Sequence, residues 1–277
     1  MALNYLISLF VSILLIKFSR SSTGLFKTSS VIDVTEFLEG NGDNPSWKLT
    51  QEALELAVSH INRTRKTVYF PAGQYSVKDP IKLDFANIFE HTDENVNLLR
   101  SGVRFIGENF ASKIQMGNYE NQTEPAFWIT WSSPDGIGNQ GVFEWEFSGL
   151  SFAGGTDHTL LKFGNAGGNG VAWNSCIFKL NINNGWKHND TEDSPRGDAV
   201  GVHIVWALQS FISIQSTCAK GIGVLLRSCE FNTISGSFSN TDSNALAPDG
   251  KKQITANRCV SNGDVIGKNI DDHTLKI

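Results

Sequence analysis

The sequence predicts an all-β fold, a single parallel β-helix in which the chain winds into stacked coils, with a helix capping its N-terminal end. Three observations lead to this prediction: two strands separated by a sharp corner, short strand segments that recur along the chain, and one amphipathic helix ahead of them. The composition agrees, because the 277 residues include 26 Gly and only 2 Met, which favours β structure with many turns.

The corner lies in the segment TVYFPAGQYSV, residues 67–77. Residues 67–70 have the composition of a short strand, Pro71 and Gly73 break it, and a second strand begins at Gln74. A tight hairpin would need a two-residue turn such as Asn-Gly, which is absent here. We therefore expect the chain to leave one sheet at Pro71 and to enter another.

Four short segments predict the coils: SGLSF, NSCIF, RSCEF and NRCVS, which start at residues 148, 174, 227 and 257. Their spacing fits a period of about 26 residues, with one further coil near residues 201–205. Aligning the segments predicts an internal ladder of Cys and Phe side chains that stack from coil to coil. The alternative is a β-sandwich, whose strands recur every 8–12 residues. The aligned positions are Leu150, Phe152, Cys176, Phe178, Cys229, Phe231 and Cys259.

One helix is predicted at about residues 45–62, where Asn44 can cap it and Pro45 can occupy its first position. A solenoid exposes an apolar end, and this helix is suited to cover it. Its predicted apolar face consists of Ala53, Leu56, Ala57 and Ile61.

The N-terminus predicts a leader over residues 1–23, followed by the β-helix domain over residues 24–277. The apolar run at 6–16 is too short for a comfortable membrane span and has the length of a signal-peptide core. A cleaved leader predicts a secreted protein. The alternative is an uncleaved anchor, since Lys17 and Arg20 follow the run and no cation precedes it.

Charge and cysteine spacing exclude some classes of function. A net charge of −5 without a basic stripe argues against a nucleic-acid partner, although a local groove can still bind an acidic substrate. Cys176, Cys218, Cys229 and Cys259 lack metal-ligand spacing, so no zinc site is predicted. Two disulfides are permitted, but the repeated context favours buried packing.

The first third of the chain resembles the pectate-lyase-like superfamily of right-handed parallel β-helix proteins. The matching elements are the turn at residues 40–43, Thr50 ahead of the helix, the strand–Pro71–Ala72–Gly73–Tyr75 corner and the segment FIGEN at residues 105–109. The resemblance implies the fold more firmly than an activity, because that superfamily includes lyases, hydrolases, epimerases and phage tailspikes.

The segment NTDSNALAPDGKKQITANRCVSNGDVI, residues 240–266, resembles the catalytic stretch of polygalacturonases. The resemblance implies a glycoside hydrolase in which Asp242 and Asp264 form the acid and base pair, 22 residues or one coil apart. Asn240, Lys251 and Lys252 are the candidates for substrate binding. Val265 stands where the family pattern has a further Asp.

The sequence therefore predicts a secreted carbohydrate-active enzyme that cleaves a polysaccharide, and two alternatives remain. The first is a non-catalytic polysaccharide-binding or tailspike-like β-helix, for which a homo-oligomer, a trimer, is expected. The second is a polysaccharide lyase, which would require calcium and a basic residue such as Arg196; otherwise no cofactor is expected. Further polar clusters are Asp157 and His158, and the acidic loop with Asp190, Glu192, Asp193 and Asp198.

Overall fold

In the computed structural model of the chain, the fold is all-β and its sheets are mostly parallel. Two short antiparallel pairs, one near each end of the described chain, are the exceptions among the described strands. The structure is described for residues 30–41, 46–90, 92–119, 124–132, 141–156, 159–165, 170–184, 200–218, 222–227, 229–240, 258–260 and 264–266.

The N-terminal segment combines short strands with helical turns. Its first elements are β1 (Val31–Asp33), a 3-10 helix (Val34–Phe37), β2 (Glu39–Asn41), β3 (Ser46–Lys48) and the helix α1 (Gln51–Ser59). Two further helices, α2 (Phe85–Ile88) and α3 (Asp93–Leu99), follow the first coil.

The largest sheet, sheet A, receives strands from every coil. In the first two coils the chain crosses it as two strands separated by a corner: β4 (Thr67–Phe70) with β5 (Gly73–Val77), then β7 (Arg104–Gly107) with β8 (Ser112–Tyr119). In the later coils one long strand replaces each pair: β11 (Glu146–Thr156), β14 (Ile177–Asn184), β17 (Phe211–Cys218) and β19 (Thr233–Asn240).

Two smaller parallel sheets complete the coils. Sheet B contains β6 (Ile81–Asp84), β9 (Phe127–Thr130), β12 (Thr159–Phe163), β15 (Val200–Val205) and β18 (Ile222–Arg227). Sheet C contains β10 (Val142–Phe143), β13 (Trp173–Asn174) and β16 (Ala207–Leu208). From the third coil onward the chain visits sheets C, A and B in turn, an arrangement consistent with a β-helix-like fold.

A corner is present where it was predicted, since β4 ends at Phe70 and β5 begins at Gly73, but the predicted change of sheet is wrong, because both strands belong to sheet A. Its geometry is fixed by the next coil: Glu108 accepts a hydrogen bond from the Ala72 N–H at 3.0 Å, and the Ser112 hydroxyl donates to the Phe70 carbonyl at 2.6 Å. In the third coil the corner is reduced to a register shift in β11 between Ser148 and Leu150. The corner therefore disappears gradually along the stack.

The constant period of 26 residues is wrong. Glu146 pairs with Ile177, Ile177 with Phe211, and Phe211 with Thr233, so successive coils differ by 31, 34 and 22 residues. The coils vary in length because their connecting segments differ, while β14, β17 and β19 pair without a register shift. The segment at residues 201–205 is a strand as predicted, but it belongs to sheet B.

The predicted Cys and Phe ladder is also wrong in register. Phe178 pairs with Phe147, whereas Phe152 pairs with Ile182. Phe231 is 83% exposed, because it lies in the turn before β19 and outside any strand. Cys176 and Cys229 are both buried, yet Cys229 lies next to Ala207 and Cys176 next to Ser210, so the two occupy different rows.

The observed ladder in the core consists of stacked aromatic rings. Phe105 and Phe147 stack at 5.3 Å between centroids, and Phe147 and Phe178 at 5.6 Å, with interplanar angles of 18° and 12°. In this cluster Trp173 packs edge-on against Phe147 and against Trp145, and Trp145 packs at a tilt against Phe147. Burial of such large apolar side chains provides the main stabilisation of a fold of this kind.

The predicted helix is present but starts later, at Gln51, because Ser46–Lys48 is extended and pairs with β2 and β5. Thr50 caps it, and its side-chain oxygen accepts a hydrogen bond from the Ala53 N–H at 3.2 Å. The apolar face is also different, since Leu56 is 52% exposed. The buried residues of α1 are Leu54, Ala57 and Val58.

Candidate ligand-binding surfaces

The outward face of sheet A carries hydrogen-bonding side chains in register. Parallel pairing and the alternation of side chains place one such residue per coil, about 4.8 Å from the next. Lys113 and Gln215 are exposed, and the Asn181 amide donates to the Ser151 hydroxyl at 3.2 Å. The row consists of Gln74, Lys113, Ser151, Asn181 and Gln215.

The outward face of sheet B carries cations around one indole ring. Lys82 pairs with Trp128, and Trp128 with Lys162. The Lys82 ammonium lies 4.5 Å from the Trp128 ring centroid, and the Lys162 ammonium 4.4 Å from it. The indole N–H donates to the Gly164 carbonyl at 2.7 Å, which fixes the ring. We call Lys82, Trp128 and Lys162 the basic face.

Electrostatics distinguish Lys162 from an ordinary surface lysine. Burial lowers the pKa of Lys162, and the positive charges of Arg227 and Lys82 lower it further, while Glu124 opposes them. The basic face therefore concentrates positive charge, although the chain as a whole has a net charge of −5.

A small apolar region lies on the outward side of the later coils. Ile177 and Phe211 are paired on neighbouring strands and are 39% and 42% exposed. Phe231 has a left-handed backbone with φ 55°, which is unusual for a bulky residue. In earlier coils the same row carries Arg104 and Glu146, which form an ion pair at 3.4 Å.

The residues predicted from the sequence as the site lie mostly outside the described part of the chain. Asp242, Lys251 and Lys252 are among these. Asn240 is the last residue of β19 and pairs with Cys218. Asp264 begins β21 (Asp264–Ile266), which pairs antiparallel with β20 (Arg258–Val260). Their role as an acid and base pair stays a prediction.

Of the other residues singled out in the sequence, some lie outside the described part of the chain and some within it. Asp157, His158 and the acidic loop lie outside the described residues. Among the tryptophans, Trp131, Trp145 and Trp173 are buried in the core, whereas Trp128 reaches the outer face. Sequence reasoning missed Lys82 and Lys162, because their proximity depends on the register between strands far apart in sequence.

Two features are absent from the described residues, a metal-binding cluster and a membrane-spanning helix. No three His, Cys, Asp or Glu side chains come together there in a way that could hold a metal ion. Among the helices in the described part of the chain, none has both the length and the apolar character needed to cross a membrane.

This chain is similar to one viral protein of known structure. No family model matches it, and no curated protein matches it. One solved structure with a similar course is ORF18 of Geobacillus virus E2, at 17% sequence identity and a TM-score of 0.40. The alignment covers 89% of this chain and 48% of that protein, so the chain spans about half the length of the viral protein.

Proposed function

We propose that the chain is a secreted right-handed parallel β-helix of the pectate-lyase-like kind, and that it binds a polysaccharide across its coils. Parallel sheets that gain a strand with each coil support the fold. Buried Leu54, Ala57 and Val58 on α1 support a capping role for that helix, because they cover apolar surface at the first coils.

The observation that carries the binding proposal is the polar row on sheet A. A polysaccharide presents hydroxyl groups at regular intervals, and each one can both donate and accept a hydrogen bond. The row offers the exposed amides of Gln74 and Gln215 and the exposed ammonium of Lys113, on strands spaced about 4.8 Å apart. Between them lie half-buried Asn181 and the Ser151 hydroxyl, which is 6% exposed and bonded to Asn181. Such a surface suits a linear, hydroxyl-rich polymer that lies across several coils.

Cleavage of the polymer is the second part of the proposal, and the sequence supports it. Asp242 and Asp264 would protonate the leaving oxygen and activate a water molecule, and Asn240, Lys251 and Lys252 would contact the substrate. The resemblance of residues 240–266 to polygalacturonases carries this part.

The experiment measures binding, new reducing ends and ultraviolet absorbance together, with the full chain expressed for secretion and polygalacturonate, dextran and other polysaccharides as ligands. Reducing ends without absorbance would indicate hydrolysis. Asp242→Asn and Asp264→Asn should then each lower turnover by about 100-fold or more and leave binding intact. Asp190→Asn is the matched control and should keep full turnover.

The remaining outcomes separate the alternatives. Reducing ends together with absorbance would indicate elimination and would direct attention to calcium and Arg196. Binding without either signal would leave a carbohydrate-binding solenoid. If no polysaccharide binds at all, both parts of the proposal are wrong.

A further inference from the structure

We infer that the basic face of sheet B is a second binding site, one that takes the carboxylate or sulfate groups of an anionic polysaccharide. This inference deepens the proposed function and rests on it. The site lies on a different sheet from the polar row of sheet A and uses none of the residues predicted for catalysis.

The geometry of the basic face is fixed by the fold. Lys82, Trp128 and Lys162 occupy one outward row on three neighbouring strands, so that the row extends over about 10 Å of sheet. Both ammonium groups approach one ring, and the hydrogen bond from the indole to Gly164 holds that ring in place. Gln51 bonds to both the backbone N–H and the carbonyl of Lys82, which fixes the outer strand.

Cations outnumber acidic groups around Lys162. Lys82, Lys162 and Arg227 interact as like charges, and Glu124 is the acidic group that acts on Lys162 in the described structure. Lys162 is half-buried, so its ammonium has lost part of its hydration. Contact with the face of the indole recovers some of this free energy through a cation–π interaction. An anionic ligand would supply the missing counter-charge.

The shape of the face indicates an extended ligand rather than a small one. The cations stand on the outer face of a parallel sheet, in a row across the coils, and the small apolar cavity lined by Phe127, Ile129 and Phe163 lies on the inner face of the same strands. An anionic sugar polymer lying across the coils meets successive ammonium groups with successive charges. The alternative is that the indole and its two lysines only stabilise the sheet.

The test compares binding of four polymers to the full chain: polygalacturonate, dextran sulfate, neutral dextran and duplex DNA. Lys82→Ala with Lys162→Ala should weaken binding of the anionic polysaccharides about tenfold, because two charge-assisted contacts are lost, and should leave dextran binding unchanged. Raising the salt concentration should reduce this difference. Lys82→Arg with Lys162→Arg keeps both charges and should retain most of the binding.

The matched control is Lys48→Ala with Arg63→Ala, which removes two exposed cations elsewhere and should change binding less than twofold. Unchanged polygalacturonate and dextran sulfate binding in the Lys82/Lys162 alanine variant would overturn the inference and leave the proposed function standing. Binding of neutral dextran without binding of either anionic polysaccharide would also overturn the inference. Equal affinity for duplex DNA would overturn the assignment to a polysaccharide. If the chain binds none of the polysaccharides, both proposals are wrong.

Discussion

At the scale of single residues, buried polar side chains hold the turns between the sheets. Asn232 is 4% exposed, and its side chain satisfies two backbone groups of the preceding coil. Its oxygen accepts from the Ser210 N–H at 2.8 Å, and its nitrogen donates to the Ala207 carbonyl at 2.8 Å. Cys176 is buried as well, and its burial raises the pKa of its thiol to about 12. These residues are structural.

Replacement of Asn232 by Ala should therefore lower the free energy of unfolding by about 1–3 kcal/mol, because the buried Ser210 N–H loses its acceptor, while the Ala207 carbonyl keeps the hydrogen bond from the Glu230 N–H. Urea unfolding followed by circular dichroism measures the change. Asn181→Ala is the matched control, since Asn181 is only half-buried and bonds to a side chain; it should cost less than about 1 kcal/mol. Equal losses in the two variants would contradict this role for Asn232.

At the scale of elements, the sequence predicted the kinds of element but not their register. Pro71 and Gly73 interrupt a strand by local chemistry, so the corner was predictable. The ladder was not predictable, because residue types alone were used to align Cys and Phe. Which side chains lie next to each other depends on the residue at which each strand starts. Trp128, Lys82 and Lys162 come together only through pairing between strands of three coils. No local pattern encodes that register.

Two glycines have left-handed backbones but differ in the space around them, so the same substitution separates backbone strain from a steric clash. Gly149 has φ +69°, its carbonyl accepts from the Phe110 N–H at 2.7 Å, and a Cβ there would overlap the Gly107 carbonyl oxygen. Gly102 has φ +73° with no atom within 4 Å of an added Cβ. Gly102→Ala should cost about 1–2 kcal/mol from backbone strain alone, and Gly149→Ala clearly more. Urea unfolding of both variants measures the difference, and equal costs would show that the contact between Gly149 and Gly107 is unimportant.

At the scale of the whole molecule, each coil contacts mainly its neighbours, so stability should propagate along the stack from coil to coil. The interior cluster is continuous from Ile32 at the N-terminal end to Ile234 in β19. A defect at the N-terminal end should therefore loosen the nearest coils first and reach the distant ones weakly.

Replacing Leu54 or Leu56 of α1 by Ala tests whether a defect at the N-terminal end loosens the nearest coils first. Leu54 is 1% exposed and Leu56 is 52% exposed. Leu54→Ala should cost about 2–4 kcal/mol through the cavity it leaves, whereas Leu56→Ala should cost less than about 1 kcal/mol. Hydrogen exchange in the Leu54→Ala variant should accelerate in β4, β5 and β6 before β17 and β19. Uniform acceleration in all coils would instead mean that the stack unfolds as one cooperative unit, and that α1 stabilises the whole stack rather than its N-terminal coils.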